Sequence, residues 1–175
     1  MTPNEKSLPV IQDADVADKI VLVRVDHNVV KKGIIKDPYR IDRTMATLFN
    51  IAQMGGRMIL MSHVGRPRDK KTGQITCDKT TSTEPIGAYL QQKLHSKFSV
   101  LPFAVEQGRG IVTVDASFPS ALKDLKARKM AAIYLPNTRW FEGEEVKGES
   151  RASLALQLAD MADVYVNDAF GSWQP

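Results

Sequence analysis

A single cysteine, Cys77, stands among 175 residues. That excludes a disulfide framework and a thiolate zinc site. Long apolar runs are also missing. The longest, Met130 to Leu135, falls far short of the roughly 20 residues that a membrane-spanning helix needs. Met1 to Asp13 carries no basic-then-apolar leader pattern. These absences set the expectation of a cytoplasmic chain with no membrane partner. No Gly-x-x-x-x-Gly-Lys-Ser/Thr loop is present, and Gly108-Arg109-Gly110 lacks the third glycine of a dinucleotide fingerprint. There is no His-Glu-x-x-His run, no calcium-loop pattern and no serine in a nucleophile elbow. No internal repeat, low-complexity tract or lysine-rich tail is visible.

What remains is a globular composition: 43% hydrophobic and 25% charged residues. The length suits one domain, residues 1–175, able to bury roughly 70% of its unfolded surface without staples. A net charge of +4 and a pI near 9.2 allow an anionic partner. The densest basic stretch is Arg66, Arg68, Lys70 and Lys71, interrupted by Asp69. By default it reads as a solvated loop. Nucleic acid is disfavoured, because no aromatic residues interleave with the basic ones.

Strand and helix patterns alternate along the chain. Ile20 to Val25 is β-branched and apolar, the pattern of a buried strand. Asp42 is expected to cap a helix over Arg43 to Met54, with Gly55 as its stop. Met58 to Met61 reads as the next strand. The loop from Pro67 to Ser82 reads as flexible from Arg68 onward and has no assigned role. Thr83 then caps a helix reaching Leu94, with Pro85 in its first turn. Phe98 to Phe103 and Ile111 to Val114 are weaker strands, and Pro119 to Arg128 is a short helix. Met130 to Leu135 is a strand. Ser150 to Met161 is a helix with Leu154, Ala155, Leu158 and Ala159 on one stripe. Val164 to Val166 is the last strand. The expected fold class is α/β: an open, doubly wound parallel sheet with helices on both faces.

Such sheets bind ligands beyond the carboxyl ends of their strands. Here those ends are polar: Asp26-His27-Asn28, then Ser62-His63-Val64-Gly65-Arg66-Pro67, then Asn137-Thr138-Arg139, then Asn167-Asp168. Each has a plainer reading. Arg24 and Asp26 lie on one side of a strand and pair as an ion pair. Asn28 and Asn137 form turns, and His63 is a hydrogen-bonded structural histidine. Convergence outweighs these readings. Arg66, Arg139 and His63 reach one edge, with Arg40 in the loop after the first strand. Several cations near one carboxylate and two amides suit a small, multiply charged, hydroxylated anion.

In order and spacing, these segments resemble phosphoglycerate kinase. They are Val23 to Val29, Arg40-Ile41, Ser62 to Pro67, Asn137 to Trp140 with Gly143-Glu144-Glu145, and Tyr165 to Gly171. The likeness runs from about Lys19 to Gly171 and implies the Rossmann-like N-terminal lobe, which binds 3-phosphoglycerate. On this resemblance the C-terminal lobe, which binds Mg-ATP or Mg-ADP, is expected to lie outside residues 1–175.

The resemblance implies that Asp26 and Asn28 hold the hydroxyl and carboxyl end of the substrate. His63, Arg66 and Arg139 then grip its phosphate, and Arg40 approaches the acyl phosphate as the catalytic group. The complete glycolytic enzyme moves the acyl phosphate of 1,3-bisphosphoglycerate to ADP. This chain alone is expected to bind 3-phosphoglycerate weakly, with no cofactor and no turnover. His27 stands where the family has phenylalanine, Val30 where it has proline, Pro136 where it has glutamate, and Trp140 where it has phenylalanine. After Gly171 the family's alanine, histidine and arginine give way to Ser172-Trp173-Gln174-Pro175. The alternative is a kinase-derived module that has lost catalysis and binds a protein or nucleic acid. Apolar surface near Phe170 and Trp173, left open without the second lobe, is expected to promote self-association.

Overall fold

The computed structural model describes residues 10–114 and 117–169. Five strands run parallel: β1 (Ile20–Val25), β4 (Arg57–Met61), β5 (Phe98–Val100), β6 (Ala132–Tyr134) and β7 (Val164–Asp168), in the order β5-β6-β4-β1-β7. A two-stranded hairpin, β2 (Val30–Lys31) with β3 (Ile34–Ile35), stands apart. β1 lies between β4 and β7, with Val23 opposite Leu60 on one side and Val166 on the other.

Both faces of the sheet are covered, which is why its strands read as continuous apolar runs. Val21, Val23, Met58, Leu60 and Tyr134 pack against α1 (Tyr39–Arg43), α2 (Met45–Gln53) and α3 (Glu84–Leu94) through Ile41, Leu48, Ile51, Ile86 and Leu90. Ile20, Leu22, Ile59 and Ile133 face the other way. They meet α4 (Ser117–Lys126) and α5 (Glu149–Asp160) through Phe118, Leu125 and Leu154. The doubly wound expectation is met.

That winding positions a crevice. After β4 the chain leaves over the α3 face, and after β6 it leaves over the α5 face. β4 and β6 are neighbours, so their exits diverge and open a space at their carboxyl ends.

Local expectations changed in several places. The first helix is broken at Thr44, whose hydroxyl donates back to the Ile41 carbonyl at 2.8 Å and interrupts the helical ladder. Asp42 therefore caps nothing. It lies inside α1 and accepts from the Tyr89 hydroxyl at 2.7 Å. Thr83 occupies the N-cap of α3, but its hydroxyl donates to the Leu135 carbonyl, and the Ser82 hydroxyl accepts from the Glu84 amide instead. Ile111 to Val114 forms only an isolated bridge, Ile111 to Phe141. On α5, Ala155 and Ala159 are exposed, and the buried contact is Leu154. The loop after Arg68 is pinned: Ile75 is buried, and its amide donates to the Gly108 carbonyl. Phe170 and Trp173 lie outside the described residues.

Candidate functional site

Asn137 organises the crevice. It is fully buried just after β6 and uses all its side-chain hydrogen-bonding capacity. Its Oδ1 accepts from the Val64 amide at 2.9 Å and the Arg139 amide at 3.1 Å. Its Nδ2 donates to the carbonyls of Val64 at 2.7 Å and Thr81 at 2.9 Å. Three segments are thus stapled together: the ends of β4 and β6, and the approach to α3. Gly65 follows in the left-handed region, with φ +58. Its amide donates to Asn28 Oδ1 at 2.9 Å, and its carbonyl accepts from Arg139 Nη1. Asn28 and Arg139 are thereby drawn to the same loop.

Acids orient the cations. Arg40 Nη1 donates to both carboxylate oxygens of Asp26 at 3.1 Å. Arg139 Nε lies 3.2 Å from Glu145 Oε1, and Arg24 Nη2 lies 3.8 Å from Glu144 Oε1. The expected Arg24–Asp26 pair is not formed: each found a different partner, although both project from the same stretch of chain. Spacing along one strand could not reveal Glu144, which arrives from a distant loop.

His63 sits among these groups. Burial pushes its imidazole down to about 4, and Arg139 and Arg24 push the same way. Asp26 opposes them and Arg40 adds to them. His63 is therefore neutral at pH 7, a hydrogen-bonding group rather than a cation. Arg24, Arg40, Arg139 and Asp26 are thus the charges that act on this imidazole. Arg66 is exposed and lines an adjoining cleft with Arg68 and Thr81. Thr81 links the two regions, since its carbonyl accepts from Asn137 and its hydroxyl accepts from Trp140 Nε1. Asn167 is exposed, and Asp168 is half-buried beside Val25, its carboxyl raised by burial.

Beneath the site lies a network that single-residue reasoning missed. His27 is fully buried. Its Nδ1 is 3.0 Å from the Tyr134 hydroxyl, its Nε2 is 3.0 Å from Thr44 Oγ1, and its amide donates to Ser62 Oγ. Asp26 and Asn28 flank it, so this network sets the floor from which they project. The available signal was a histidine between Asp26 and Asn28 where the family has phenylalanine. Among the described residues, no group of three or more His, Cys, Asp or Glu side chains is placed to hold a metal.

Taken together, the arrangement can grip a small anion with pre-oriented guanidinium groups while a neutral histidine donates or accepts beside them. Comparison with known proteins agrees in family. The family model for phosphoglycerate kinase matches residues 11–174. The cytosolic phosphoglycerate kinase of Leishmania major is 34% identical over 171 residues, which cover 93% of this chain and 38% of that protein. The phosphoglycerate kinase of Roseiflexus castenholzii is 36% identical over 163 residues, covering 93% and 37%. The chain thus spans less than two fifths of the length of these relatives. The solved phosphoglycerate kinase of Coxiella burnetii superposes with a TM-score of 0.62 at 26% identity, covering 93% of this chain and 35% of that one. The Pyrococcus horikoshii structure, with a TM-score of 0.65 at 22% identity, shares the fold.

Proposed function

Because the chain belongs to the phosphoglycerate kinase family, we propose that it is that family's substrate lobe, a single domain over residues 1–175 that binds 3-phosphoglycerate at the crevice. The observation that carries this reading is the bonding that draws Asn28 and Arg139 to Gly65 while Asp26 holds Arg40. Asp26 and Asn28 meet the hydroxyl and carboxyl end. His63 and Arg139 meet the phosphate, and Arg66 meets it from the adjoining cleft. Arg40, held by Asp26, is the group nearest the acyl phosphate and is the one catalytic residue of the reading.

The reaction is transfer of the acyl phosphate of 1,3-bisphosphoglycerate to ADP, and positioning and charge neutralisation supply most of its catalysis. Mg-ATP or Mg-ADP would be held by the C-terminal lobe of a complete enzyme, because the residues described here offer no glycine-rich phosphate loop and no carboxylate cluster. This chain alone then binds substrate without turning it over. We place it in the cytoplasm, like the relative named cytosolic; another relative is named glycosomal.

Calorimetry with 3-phosphoglycerate tests the reading. Binding is expected, and Arg139→Ala should weaken it about ten- to a hundredfold, the worth of one charge-assisted phosphate contact. A coupled ATP-consumption assay should stay at the blank. Absence of heat at millimolar 3-phosphoglycerate would favour the alternative of a module serving a protein or nucleic-acid partner. The buried, fully partnered His27 does not favour that alternative, because its departure from the family pattern is absorbed inside the fold.

A further inference from the structure

Beside the crevice lies a cleft of about 660 Å³, lined by Arg66, Arg68, Lys70, Lys71, Thr80 and Thr81 among others. Its charges differ in kind from those around His63. There, Arg24, Arg40 and Arg139 each have a carboxylate partner. Here, Arg66, Lys70 and Lys71 are exposed and form no ion pair among the described residues.

Two carboxylates also line the cleft against its four cations, and each is hydrogen-bonded within its own loop. Asp69 Oδ1 accepts from the amides of Lys71 and Thr72 and from the Thr72 hydroxyl. Those amides hold its carboxyl below the usual range. Asp78 Oδ1 accepts from the Thr80 amide and hydroxyl. The loop itself is fixed. Arg68 donates to the carbonyls of Gly73 at 2.9 Å and Glu142 at 2.8 Å, and Asp69 and Gln74 are joined through their backbones. The free cations therefore stand on a pre-organised turn, which lowers the ordering cost of binding. The Thr81 hydroxyl accepts from Trp140, so its own proton remains available to a ligand.

We propose that this cleft is a second anion site, and that it takes a short linear polyphosphate without an aromatic base. The spread of unpaired charge from Arg66 to Lys71 suits a ligand whose charge is distributed along its length. Among the described residues no aromatic side chain lines the cleft, and Pro67 is the one apolar lining residue. A nucleobase would find nothing to stack on. Arg66 is shared with the substrate reading, whereas Lys70 and Lys71 take no part in it, so those two lysines test this cleft separately.

The test is calorimetry on the whole chain with inorganic triphosphate as probe, run in parallel with 3-phosphoglycerate. Triphosphate should bind, and more weakly as salt rises. The double variant K70E/K71E should raise its Kd at least about tenfold and leave 3-phosphoglycerate affinity unchanged. Circular dichroism checks that this surface variant is folded. ATP should bind no more tightly than triphosphate. Three results would overturn the proposal: no triphosphate binding, triphosphate binding unmoved by K70E/K71E but lost in Arg139→Ala, or ATP binding about tenfold tighter than triphosphate. If triphosphate binds through Lys70 and Lys71 while 3-phosphoglycerate does not bind, this inference stands and the substrate reading falls.

Discussion

His27 has its tautomer settled by its neighbours. The Thr44 hydroxyl already donates to Ile41, so it accepts from His27 Nε2–H. Nδ1 must then accept from the Tyr134 hydroxyl. Burial pushes the imidazole down to about 3, opposed only by Asp26. The unfolded chain takes up this proton near 6.5 and the native chain near 3. Stability is therefore full above about pH 6.5 and falls as pH drops toward 3, by about 1.4 kcal/mol per pH unit from this group. His63, lowered to about 4, acts in the same direction. Urea denaturation at pH 7 and pH 5 should show a loss of about 2 kcal/mol that is due to His27. His27→Phe should remove that share of the slope, since Thr44 keeps its bond to Ile41. Cys77 offers a second check at this scale. Burial raises its thiol to about 11, so iodoacetamide at pH 8 should label it roughly a hundredfold slower than a free thiol.

Between elements, Asn137 does what no backbone ladder does: it ties the end of β4 to the end of β6 and to Thr81. Asn137→Ala strands the Val64 amide and the carbonyls of Val64 and Thr81 in a buried setting. The expected cost is about 2–4 kcal/mol in urea denaturation, and 3-phosphoglycerate heat should weaken with it because Arg139 loses its anchor. An Asn137→Asp variant keeps the acceptor but not the two donors, so it should rescue only part. A stability change below about 0.5 kcal/mol in Asn137→Ala would contradict the staple. The strands and most helices were legible from apolar periodicity, because both sheet faces are covered. The Thr44 break was not, because it depends on a hydroxyl bonding both Ile41 and a histidine from another element.

At the scale of the whole molecule, β7 is an edge strand, and no further strand pairs with it among the described residues. Tyr165 on that strand is 55% exposed. An open edge that carries an exposed ring invites pairing. Sedimentation velocity across a concentration series should show reversible association, and Tyr165→Lys should suppress it. A monomer at all concentrations would refute this expectation. The winding of the sheet also accounts for the site's location. Its connections diverge between β4 and β6, and the residues proposed to bind substrate gather at that divergence and at the neighbouring end of β1.

Local chemistry written in the chain determined the alternation of strands and helices, the parallel sheet and the polar strand ends, because apolar spacing and turn residues act over a few positions. The motif resemblance carried the family. Partnership was decided only in three dimensions. Arg24 went to Glu144 and Asp26 to Arg40, burial set His63 to stay neutral well below pH 6, and Arg66 came to line the adjoining cleft. Those outcomes depend on which distant segments arrive beside a group and how much water they leave, and neither quantity is encoded in local spacing.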